Sequence, residues 1–109
     1  MTARVDDDRL IQLDAEIRRL MGVMRRTFGE LVQCWNRRDD LRDQYHDRRH
    51  PPAPERARVL EELLRHVQTA IQLHERMLTD ADEHCTLLQG TEARLTAQLA
   101  RERREHAPA

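Results

Sequence analysis

Lysine is absent from this chain, aromatic residues make up 3 % of it, and there are only three Gly, four Pro and two Cys in 109 residues. Each scarcity excludes something. With one Phe, one Trp and one Tyr, the chain has too few large apolar groups for a thick globular core. With so few Gly and Pro it is neither a turn-rich β protein nor a flexible linker. No run of about 18 apolar residues exists, so no segment is expected to span a membrane. The first residues, Met1 to Asp8, lack the apolar stretch of a secretory signal. A cytoplasmic location is therefore expected, in which Cys34 and Cys85 stay reduced.

Charge is abundant and balanced. Asp, Glu and Arg supply 36 % of the residues, yet the net charge is only −1. Residues 1–50 carry eleven Arg against ten acids, and residues 51–109 carry eight against ten. Binding to phosphate backbones draws on a basic excess that releases counterions, and neither half has one. The exclusive use of Arg, beside many Ala, Leu, Asp and Pro, matches the codon bias of a GC-rich genome. Many charges, few helix breakers and abundant Leu, Ala, Arg and Glu suit long helices that bury a narrow seam.

The sharpest boundary is His50-Pro51-Pro52-Ala53-Pro54. Three prolines in four residues cannot continue a helix, because each lacks an N–H and clashes with the preceding turn. Pro54 suits the first position of a new helix, and Glu55 behind it favours the positive end of the helix dipole. Before this boundary, Leu10, Leu13, Ile17, Leu20, Met24, Leu31, Leu41 and Tyr45 recur at alternating steps of three and four. Thr27, Cys34 and Arg38 fill the remaining seam sites, and Phe28 and Trp35 lie just beside them. After it, a second seam runs Leu60, Leu64, Val67, Ile71, His74, Leu78, Ala81, Cys85, Leu88, Glu92, Leu95 and Leu99. Leu63, Ala70 and Met77 widen that stripe on one side.

A sustained period of 3.5 predicts a coiled coil. The fold class expected is all-α: two long helices in an antiparallel coiled-coil hairpin, with surplus apolar width that can associate it into a helical bundle. As one domain over residues 1–109, it would have helices near 6–46 and 54–105 and a proline turn near 47–53. Asp6, Asp7 and Asp8 offer N-caps. Gly90-Thr91 could end one helix and cap another, although a continuous or gently bent helix is the favoured reading. Residues whose numbers sum to roughly 102 should face one another in such a hairpin. Cys34 then lies near Val67 or Ala70 and Cys85 near Ile17 or Leu20, too far apart for a disulfide.

The chemistry-bearing residues do not assemble into a recognisable active site. His46 and His50 have the spacing of two metal ligands on one helical face, but the prolines follow at once and no third ligand is specified. His74 falls in the seam, where a polar spacer that sets register is expected. Glu62 and His66 are four apart, not the three of the Glu-x-x-His motif in helical di-metal proteins. Cys34 and Cys85 occupy seam positions and read as small buried hydrophobes. Small all-helical chorismate mutases use a cationic pocket of Arg and Lys, and this chain has no Lys. Paired arginines such as Arg18-Arg19 and Arg25-Arg26 have acidic neighbours at helical spacing and read as surface ion pairs. No catalytic residue, metal or cofactor is expected.

The segment LLRHVQTAIQLHERML over residues 63–78, and DLRDQY over residues 40–45, resemble the two helices of the coiled-coil stalk proteins of flagellar and type III secretion export systems. That resemblance covers about a third of the chain. It implies an export-apparatus component contacting the secretion ATPase, the export gate or export chaperones; the small helical export chaperones are a related class. The residues themselves imply a non-enzymatic adaptor, scaffold or chaperone whose partners are protein helices, its own or foreign. Leu63, Ala70 and Met77, with Phe28 and Trp35, are the expected partner-binding residues. The alternatives are a small helical subunit of a nucleoprotein assembly, a self-assembling structural coiled coil, and, as the minor reading, a helical enzyme.

Overall fold

The computed structural model describes residues 6–106. Among them are two helices and no strand: α1, Asp7–Tyr45, and α2, Pro54–Glu105, joined by the proline turn as an α-helical hairpin. The start of α1 is set by Asp6, whose Oδ1 accepts a hydrogen bond from the Arg9 N–H at 2.7 Å. This side chain serves a backbone donor that the first helical turn leaves without a partner, and Asp7 and Asp8 add negative charge at the same end.

The turn is built from Asp47 and the prolines. Asp47 Oδ1 accepts from the backbone N–H groups of Arg49 (2.9 Å) and His50 (3.1 Å) just after α1 ends. Such an Asx-type arrangement competes with helix continuation. Helix α2 opens with Pro54 in its first position, and the Ala53 carbonyl takes the first helical bond, from Ala57 N–H at 2.8 Å. Proline there forfeits an N–H that would have no helical acceptor. Helix α2 then runs without interruption through Gly90. Thr91 does not cap a new helix, because its hydroxyl donates back to the Leu87 carbonyl at 3.1 Å, a bond made inside a helix.

Among the described residues, packing divides into two units, Arg25–Thr79 and the pairing of residues 6–24 with 80–106. Within Arg25–Thr79, the chain returns on itself and buries Leu31, Leu41, Leu60, Val67 and Ile71 as one cluster, with Cys34, Trp35, Tyr45, Leu63, Leu64 and Leu78 packed against it. Thr27 is also buried there. Arg38 is half-buried and bonds Asp39 at 3.4 Å. Within the second unit, Ile17, Leu20, Ala81 and Cys85 form the core, covered by Val23, Met24 and Leu88. Every seam position that the sequence assigns is buried or half-buried, including the polar ones. Both cysteines are free.

The cores differ in substance. Among the described residues, the largest fully buried side chains are Leu31, Leu60 and Ile71, all in Arg25–Thr79. Burying each such side chain contributes about 1.5–3 kcal/mol. In the second unit the buried residues of α2 are the small Ala81 and Cys85, which remove less apolar area from water.

Candidate protein-docking faces

The partner-binding residues expected from the sequence all fall in Arg25–Thr79, where the pairing of the helices decides which of them share a surface. With Leu31 as an a position, Phe28 and Trp35 are e positions of α1. With Ile71 as an a position, Leu63, Ala70 and Met77 are g positions of α2. In an antiparallel pair, g flanks g and e flanks e. The cross-helix contacts mark the two edges. Arg56, a g residue, donates to Gln44, a g residue of α1, at 3.0 Å. Glu30, also g, takes the Nε2 of His74 at 2.9 Å. On the other side, Tyr45 donates its hydroxyl to Glu61, an e residue, at 2.6 Å.

The five residues therefore form two faces on opposite edges of the helix pair. On one edge, Phe28 and Trp35 meet edge to face, centroids 6.2 Å apart and planes at 87°. Trp35 leans on the core while half of Phe28 is open to solvent. On the other edge, Leu63 and Ala70 are half-buried and Met77 is 43 % exposed.

Two further apolar residues join this second edge and were not anticipated. Val59 is 46 % and Leu73 54 % exposed, and both sit at c positions, beside the g row. Together, Val59, Leu63, His66, Ala70, Leu73 and Met77 repeat the alternating four-three step of a coiled-coil seam, on the outside of α2. The signal was present in the sequence, but c positions ordinarily face water, and His66 interrupts the apolar run.

Polar groups near the turn are engaged among themselves. Arg42, Tyr45, His46, Glu61, Leu64 and Arg65 line an open depression of about 390 Å³. The hydrogen bond to Glu61, and then its negative charge, hold the Tyr45 hydroxyl above its ordinary value. The His46 ring stands edge to face against Tyr45, centroids 5.0 Å apart. His74 is held at both nitrogens, with the Ala70 carbonyl 2.6 Å from Nδ1 and the Glu30 carboxylate on Nε2. Within the second unit, a more enclosed groove of about 510 Å³ carries Arg9, Arg94 and Arg101. Arg18 and Arg19 pair with Asp14 (2.9 Å) and Glu16 (2.6 Å) on their own helix. The hydrogen bond from Arg19 is the main cause of the lowered Glu16 carboxyl.

Among the described residues, no group of three or more His, Cys, Asp or Glu side chains is placed to hold a metal ion. Among the same residues, no helix is long and apolar enough to cross a membrane. Compared with protein-family models, curated proteins and solved structures, the chain finds no match.

Proposed function

We propose that this chain is a non-enzymatic protein-interaction module, an adaptor, scaffold or chaperone that docks amphipathic protein helices, its own or foreign. The observation that carries this reading is the apolar seam on the outside of α2, where Val59, Leu73 and Met77 stand exposed in register with Leu63 and Ala70. Scattered exposed hydrophobes are ordinary on any surface, whereas a row at helical spacing offers anchors to another helix. The Phe28–Trp35 pair supplies a second, aromatic anchor on the opposite edge. A role in a flagellar or type III export system is the more specific form of this proposal, and it rests on the resemblance of residues 40–45 and 63–78 to the stalk proteins.

The reading is tested by replacing Phe28 and Met77 with Ser, singly and together. Both side chains are more than two-fifths exposed, so the melting curve should move by the equivalent of only about 1 kcal/mol. The complex that the chain forms in its native extract should shrink on size fractionation. An unchanged complex size with both residues replaced would remove these faces from the account.

A further inference from the structure

The outer seam of α2 has a property that a site for an arbitrary helix does not need: it is self-complementary. Taken in order, its residues are Val59, Leu63, His66, Ala70, Leu73 and Met77. Reversed and laid against itself about a point between His66 and Ala70, the row sets Leu63 against Leu73 and Val59 against Met77. The same reversal sets the large His66 against the small Ala70. Those are the layers of an antiparallel coiled coil, in which alternating steps of three and four from the two strands interdigitate. The flank agrees in charge. Glu62 and Arg76 lie on the same side of the seam and are both exposed, and the reversal brings each within about 3 Å of the other's level along the axis. An isologous two-fold contact has this form, with residue i meeting j and j meeting i.

We infer that a second copy of this chain occupies the outer seam, with α2 pairing antiparallel to α2 about a two-fold axis near residue 68. Each copy contributes the exposed Val59, Leu73 and Met77 and the half-buried Leu63 and Ala70. The Phe28–Trp35 edge lies on the other side of the helix pair and stays open for a different protein.

The test combines solution mass with distances between spin labels. Light scattering should give a dimer that Leu73→Glu converts to monomer with helicity retained, whereas Ile11→Glu, at a site 65 % exposed on α1, should leave the dimer intact. Because folding of a variant cannot carry the test alone, labels are placed at Thr69 and, separately, at Glu55 in a Cys34→Ala, Cys85→Ala background. At 1.5 Å per residue, antiparallel pairing puts the Thr69 labels within about 15 Å and the Glu55 labels about 40 Å apart. A chain that stays monomeric up to roughly 500 µM overturns the inference, since that concentration reveals even weak dimers. So does a dimer indifferent to Leu73→Glu, or one with equal separations at both labels, the mark of parallel pairing. The inference rests on the docking-module reading but fails separately from it. A monomer whose native complex still shrinks on Phe28→Ser with Met77→Ser loses the second copy and keeps the module.

Discussion

Ile71→Asp should abolish the cooperative thermal transition of Arg25–Thr79. Ile71 is 2 % exposed and sits among Leu31, Leu41, Leu60 and Val67. A carboxylate at that position loses its hydration and gains no oriented donor from those aliphatic neighbours. An uncompensated buried charge costs on the order of 4 kcal/mol, and the deleted apolar surface adds to it. Small domains have about 5–15 kcal/mol in total, so the substitution removes most of what holds the hairpin closed. Circular dichroism melts report the loss directly. Gln72→Asp, one residue along on an exposed position, adds the same charge and should change stability by no more than about 0.5 kcal/mol. If the two variants melted alike, the seam would not run through Ile71.

Leu60→Ala is expected to cost about 2–5 kcal/mol, the range for emptying a fully packed leucine site. Leu60 is 1 % exposed, in the second turn of α2. It belongs to the same cluster as Leu41 and, through it, meets the last turns of α1. The surrounding backbone has little room to collapse into the gap, because the turn below it is braced by Pro51, Pro52 and Pro54 and by the two hydrogen bonds to Asp47. The full cavity penalty therefore applies. Cys85→Ala, in the core of the other unit, removes a single sulfur and should cost no more than about 1.5 kcal/mol. Chemical denaturation of both variants, with the slope held equal to wild type, measures the difference. Equal costs at the two sites would mean that the core of Arg25–Thr79 is not the better packed.

The seam and the turn were legible in the sequence because each follows from a strong local rule. A spacing of three and four residues selects one face of a helix, and prolines with Asp47 leave the backbone no helical continuation. The Gly90-Thr91 pair is weaker as a signal. A glycine stops a helix only where the chain adopts a left-handed conformation, and Gly90 has no positive φ, while Thr91 turns its hydroxyl inward along α2.

What could not be read is anything that depends on how one helix flanks the other. Phe28, Trp35, Leu63, Ala70 and Met77 all lie beside a seam, and a linear sequence does not say which of them share a surface. Only the pairing of the helices, marked by Gln44–Arg56 on one edge and Tyr45–Glu61 on the other, separates them onto two edges. The Glu30–His74 contact is equally opaque in one dimension, since its partners are 44 residues apart. Val59 and Leu73 escaped for a different reason. Their positions belong to the solvent face of a two-helix fold, and their meaning appears only once a further helix is considered.

The most direct measurement is site-specific photo-crosslinking in the native host, with a benzophenone side chain placed in turn at Phe28, Met77 and Arg18. Arg18 is the reference, an exposed residue paired with Asp14 on its own helix. The account predicts discrete protein adducts from the first two positions and none from the third, with the Met77 adduct at twice the chain mass of 13.0 kDa. Adducts from Arg18 alone, or no adduct at either apolar edge, would contradict it.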